Sequence, residues 1–232
     1  MVYSRTLQTE SGSQTLSFQA SGRLWHDALV MYDRETKSLW TQHDGRALVG
    51  DAAESSRQLV SVPSERTTFA SAAARYPNAR VLKKKAGVLG KGMATIYDEY
   101  SQNQSRLGIF GTELSDARLD GKDLVFGISE AGEDRAFFMY ALVSEGSVTI
   151  DSAVGPLLVV PVPGGLDARA WKVPEGTQRQ GEELVAPDGR RWDLRSGVGQ
   201  GEPLEGIPGV TQYWFAWLNF HAQTWLWGAP GR

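Results

Sequence analysis

Met31-Tyr32-Asp33-Arg34-Glu35-Thr36-Lys37-Ser38-Leu39-Trp40-Thr41-Gln42 reads as one β-hairpin. The flanking runs Ala28–Asp33 and Ser38–Gln42 are rich in apolar and β-branched residues, as strands are. Between them Asp33–Lys37 is polar throughout, as a hairpin turn is. The hairpin draws Tyr32, Asp33, Trp40, Gln42 and His43 into one neighbourhood, the candidate pocket. Asp33 and Glu35 are paired carboxylates, which do acid–base work when their environments split their pKa values. His43 stands beside the turn pair Asp44-Gly45, where an imidazole next to a carboxylate suits a general base. The competing reading is structural: Asp33 and Glu35 belong to a polar turn, and His43 to an exposed one.

Outward from the hairpin the same grammar repeats. Glycine occupies 26 of 232 positions, above the usual ~7%, and the glycines punctuate short apolar runs. Val2–Leu7, Thr15–Ala20, Asp123–Ile128, Asp134–Met139, Ser147–Asp151 and Leu157–Val162 are further strands. Gln8–Ser13 is a hairpin loop in which Gly12 supplies a positive φ. Helices are few. One opens after Pro63 with Ser64 as N-cap, runs through the Ala-rich Thr68–Arg75 and stops at Pro77. A second begins after Thr211 and carries Trp214, Trp217, Leu218 and His221 on one face. Residues 83–121 read as a connecting segment with one ordered piece around Ile96–Tyr100. The fold class expected is α+β, predominantly antiparallel β with a few short helices.

An internal repeat is also expected. Leu39-Trp40, Gly45, Leu59, Pro63 and Phe69 are echoed by Arg191-Trp192, Gly197, Leu204, Pro208 and Trp214. The Trp-to-Gly, Leu-to-Pro and Pro-to-aromatic gaps agree, which places two degenerate repeats, packed together, at 1–105 and 106–232. A short hairpin and a short helix cannot close a core alone, whereas two copies can. The aromatic cluster Trp192, Trp214, Trp217, His221, Trp225 and Trp227 is then core. Exposed, it would suit sugar stacking or a partner surface.

The composition excludes several functions. Without cysteine there is no disulfide, no thiolate metal site and no Cys nucleophile. Only three histidines occur, none three or four residues from another, so no sequence-local metal site is expected. No cofactor is expected either. A net charge of −3 argues against a nucleic-acid partner. No apolar run approaches the ~18 residues of a membrane span. No Gly-x-Ser-x-Gly elbow is present, and Gly87–Thr95 lacks the phosphate-loop spacing. A protein partner and a small-molecule ligand both remain open.

The signature Met31–Gln42, with Gly45-x-Ala47-x-x-Gly50, Thr67-Thr68-Phe69 and Tyr76–Leu82, resembles the bacterial family DUF3179, whose function is unknown. Asp116–Lys122, Val125–Ile128 and Arg135–Phe137 resemble the family's opening strands, and Trp192 with Trp214–His221 a degenerate copy of its later part. Members typically carry a Tyr-Cys-Pro-x-Cys motif just before the strand that Val2–Leu7 resembles, and a His-Glu pair earlier still; neither occurs here. In the second half the motif's place falls near Pro161–Gly165, without a thiol. The resemblance therefore implies a first repeat lacking its N-terminal portion, through a late start or as a natural remnant. It also implies an exported or periplasmic setting, although Met1–Glu10 shows no signal peptide. Three functions follow: a non-catalytic binding or scaffold domain of the cell envelope, a hydrolase- or lyase-like enzyme around Asp33 and His43, or a redox or metal-handling protein whose thiols lie upstream.

Overall fold

A computed structural model describes residues 2–9, 12–62, 64–82, 99–108 and 111–230. The expected ordered piece at Ile96–Tyr100 therefore lies mostly outside the described residues. The described structure is mostly antiparallel sheet with a few short helices. It divides into two compact units, residues 1–64 with 208–210, and residues 65–207 with 211–232.

The first unit contains β1 (Val2–Tyr3), β2 (Thr6–Thr9), β3 (Gly12–Thr15), β4 (Phe18–Trp25), β5 (Ala28–Asp33), β6 (Leu39–Thr41), β7 (Ala47–Val49), α1 (Asp51–Glu54) and β8 (Ser61–Val62). β4 to β7 form an antiparallel meander in chain order. The β4–β5 connection is a two-residue turn, His26-Asp27, with φ of 48° and 62°. Two successive positive φ values match the twist of a hairpin, and Asp is among the residues that tolerate them. The expected strand Val2–Leu7 is broken into β1 and β2, and β2 pairs with β3 around Gly12 (φ 122°). Buried Leu7, Leu16, Trp40, Ala52 and Leu59 make the core of this unit.

The second unit contains α2 (Phe69–Arg75), β9 (Leu124–Glu130), β10 (Glu133–Phe138), α3 (Met139–Glu145), β11 (Val148–Ile150), β12 (Leu157–Pro161), β13 (Ala168–Lys172), β14 (Gln178–Gln180), β15 (Glu183–Val185), β16 (Arg191–Asp193), β17 (Glu205–Ile207), most of β18 (Gly209–Tyr213), α4 (Trp214–Leu218) and β19 (Trp225–Trp227). Three sheets have the orders β18-β9-β10-β19, β11-β12-β13-β17 and β14-β15-β16. The middle sheet is buried on both faces, and β12 shows why. Leu157 and Val159 join the core with Phe126, Ile128, Phe137 and Leu142. Leu158 and Val160 join the other with Leu184, Trp192 and Leu194. Alternate side chains of a strand point to opposite faces, so two-sided burial demands the unbroken apolar run seen in the sequence.

Several expectations change. The cap of α2 is Thr68, whose hydroxyl accepts from the Ser71 amide at 3.2 Å, and the helix begins later than Ser64. The strand expected to reach Met139 ends at Phe138, where α3 takes over. Trp225 was expected in the core and is 47% exposed. Its strand, β19, is the edge of its sheet and pairs in parallel with β10, so only one side of the strand is covered. Trp192, Trp214 and Trp217 are buried, and His221 and Trp227 half-buried.

Gly127 of β9 lies against Trp217. A Cβ placed there would stand 2.2 Å from the Trp217 ring. Overpacking of this kind costs about 1–3 kcal/mol. Gly127→Ala should lower the urea midpoint with an unchanged slope; an unshifted midpoint would show that Trp217 yields freely.

Candidate functional site

The signature hairpin is built around the Asp33 carboxylate, which is fully buried at the end of β5. Oδ1 accepts from the Thr36 amide at 2.5 Å. Oδ2 accepts from the Thr36 hydroxyl at 2.7 Å, the Ser38 amide at 3.1 Å and Trp40 Nε1 at 2.8 Å. Burial alone would raise the Asp33 pKa, but these donors outweigh it and hold the pKa below the usual carboxylate range. Lys37 supplies the positive φ (59°) that closes the turn. Its ammonium lies 5.7 Å from the Tyr32 ring centroid.

The five candidate-pocket residues are only partly brought together. Asp33 and Trp40 meet through the indole hydrogen bond. His43 is buried and Gln42 exposed. Their carbonyls lie 2.8 and 3.0 Å from the Tyr3 hydroxyl, which donates to this corner. Burial, then the charge of Asp44, pushes the Tyr3 pKa up, so the phenol keeps its proton. The partners of Asp33 are its own turn and Trp40, and His43 is not among them. Glu35 accepts from the Ser17 amide at 2.7 Å.

The same turn occurs again at Asp193. Its Oδ1 accepts from the Arg195 amide (3.2 Å), the Ser196 amide (2.7 Å) and the Ser196 hydroxyl (2.7 Å). The Asp33 amide donates to the Ser38 carbonyl at 3.1 Å, and the Asp193 amide to the Val198 carbonyl at 2.8 Å, five residues on in both. Tyr32 pairs with Leu39, and Trp192 with Gly199. Gly197 (φ 67°) stands where Lys37 stands.

Asp193 and Arg195 line a cavity of about 450 Å³ in the second unit. Arg75, Ser71 and Ala74 of α2 and the preceding Glu65 and Thr67 form one wall, and Pro163 closes another. A separate, much smaller pocket shares Arg75, Pro163 and Arg195 with it and is lined also by Val160, Pro161, Val162 and Arg169. Glu65 accepts from Arg169 Nη2 and lies 3.4 Å from Arg75 Nη1. Arg169 Nη1 donates to the Arg195 carbonyl at 2.6 Å, and Arg195 Nε pairs with Glu182 at 3.1 Å. Thr67 donates to the Pro163 carbonyl at 3.1 Å, tying the wall together. Burial would raise the Asp193 pKa. Hydrogen bonds from Ser196 and Arg195, with the charge of Arg75, pull it below the usual range.

Comparison with known families fixes the relationship. The profile of DUF3179, a protein of unknown function, matches residues 1–224. The chain belongs to the DUF3179 family. No curated protein and no solved structure matches it. In this DUF3179 chain, Pro161–Gly165, the stretch set against the family's paired-Cys motif, contributes Pro163 to the cavity.

The sequence reading missed Glu65, Arg75, Arg169, Asp193 and Arg195 as a group. One signal was available: Asp193-x-x-Ser196-Gly197 copies the spacing Asp33-x-x-Thr36-Lys37. The arginines come from separate elements and carry no local pattern.

Proposed function

We propose that this DUF3179 chain is a non-catalytic binding domain, in an envelope setting, whose ligand occupies the cavity lined by Glu65, Arg75, Asp193 and Arg195. One observation carries the reading: the carboxylates on the cavity are already engaged. Glu65 sits between Arg75 and Arg169, and Asp193 is held ionised by its own turn. Carboxylates so held are fixed recognition elements. The enzyme reading draws less support, because the Asp33 carboxylate is committed to its turn and Trp40. The redox reading needs thiols that these 232 residues do not contain.

The two repeats belong to the same proposal. The matching turns support a duplication, in a register that sets Asp33 against Asp193 and Tyr32 against Trp192. Trp40 then has no tryptophan opposite it, and Trp192 is not its counterpart. Trp192 Nε1 donates to the Glu202 carbonyl at 3.0 Å, a different role from that of Trp40.

The binding reading is tested by melting the protein against inorganic phosphate, citrate and glucose, beside an Ala74→Trp variant that fills the cavity. At least one compound should raise the melting temperature of the parent and leave the variant unmoved. Equal shifts in both proteins, or none in either, would sink it.

A further inference from the structure

We propose that the cavity takes an oxyanion, a carboxylate or a phosphate group, gripped by Arg75 and Arg195; this rests on the binding reading above. Two guanidinium groups line it, Arg75 and Arg195, against two carboxylates, Glu65 and Asp193, and Arg169 pairs with Glu65 beside it. The five groups sum to one positive charge, but their engagement is uneven. Arg169 is committed through both Nη atoms, to Glu65 and to the Arg195 carbonyl. Glu65 faces Arg169 and Arg75. Asp193 accepts three hydrogen bonds inside its own turn. The acidic side of the cavity is thus satisfied at Glu65 and at Asp193 Oδ1, while Asp193 Oδ2 accepts no hydrogen bond among the described residues and Asp193 feels the charge of Arg75.

The basic side is not. Arg195 uses Nε for Glu182, and its two Nη groups have no partner among the described residues. Arg75 touches Glu65 only through Nη1 at 3.4 Å, a long contact, and leans over the Tyr76 ring. Two guanidinium forks with spare N–H groups therefore share one concave site. A planar fork matches the two oxygens of a carboxylate or phosphate. The Arg195–Glu182 pair is half-exposed, at 42% and 62%, so an incoming anion displaces a weak surface contact rather than a buried one. Ser71 adds a hydroxyl, and the volume exceeds what one inorganic anion fills. The ligand class is therefore a small organic acid or phosphate ester.

The test is calorimetric titration of the full chain at low ionic strength with inorganic phosphate, citrate and glucose. Phosphate or citrate should bind, and glucose should not. Arg195→Gln and Arg75→Gln should each weaken binding about tenfold or more, the loss of a charged hydrogen bond. Arg190→Gln, an exposed arginine paired with Asp188 away from the cavity, should bind as the parent does. Added salt should weaken binding in the parent. Phosphate alone marks the phosphate-ester class, citrate alone the organic acids, and both the shared oxyanion chemistry. Anion binding that ignores both arginine variants overturns the inference. Glucose binding that Ala74→Trp abolishes, with neither anion bound, overturns it while the binding reading survives. No binding by any probe overturns both. Far-UV circular dichroism of each variant separates lost binding from lost fold.

Discussion

Replacing Trp40 with alanine should cost about 3–5 kcal/mol. The indole is completely buried and sits at the centre of the first unit's core, against Leu7, Leu16, Ala52 and Leu59. Phe18 meets it edge-on with ring centroids 5.9 Å apart. Truncation leaves a void that the short strands around it cannot close, since β6 and β7 have three residues each and are fixed by their pairing. The loss should appear in a denaturant melt followed by far-UV circular dichroism. A melt that barely moves would mean that the indole is not the keystone of this core.

Asp33→Ala should destabilise the same unit by about 2–4 kcal/mol, because it strands the Thr36 and Ser38 amides and Trp40 Nε1 without an acceptor, at roughly 1–3 kcal/mol for each unsatisfied group and with partial rescue by water. The pH dependence has a definite sign. The folded pKa of Asp33 lies below its unfolded value of ~4. Its contribution is therefore complete above ~4 and fades as the pH falls through the folded value. Asp33→Asn should flatten that acid limb and keep part of the turn. The two sites share one hydrogen bond, so the double variant with Trp40→Ala should cost less than the sum of the singles. Strict additivity would show that the indole and the carboxylate act independently.

Much of the scaffold was legible because its signals are local. The polar Asp33–Lys37 stretch between apolar runs could only be a turn, and Gly12, expected inside a loop at Gln8–Ser13, begins β3 and pairs with Thr9. The unbroken run of β12 was equally plain, although its two-sided burial needed the third sheet to be seen. Reading failed where local signals compete. Phe137-Phe138-Met139-Tyr140-Ala141-Leu142 is apolar throughout, and such runs do not separate strand from helix by periodicity. Gly146, left-handed at φ 82°, caps α3 and was the missed cue. Trp225 failed because edge position is a property of the sheet and not of the strand. The cavity was illegible for a similar reason: Arg75 and Arg195, 120 positions apart, line it together only after separate elements have folded.

The repeated aspartate turn behaves as an interchangeable part. Because each copy spends its carboxylate mainly on its own amides and hydroxyl, with Trp40 Nε1 added at the first, it asks little of what lies around it. One copy stands beside a tryptophan and the other beside arginines, with the same closure in both. A connector so self-sufficient can be carried into new surroundings without bringing a chemistry with it. Its appearance in a chain identifies a scaffold, and the neighbours of each copy decide what that scaffold holds.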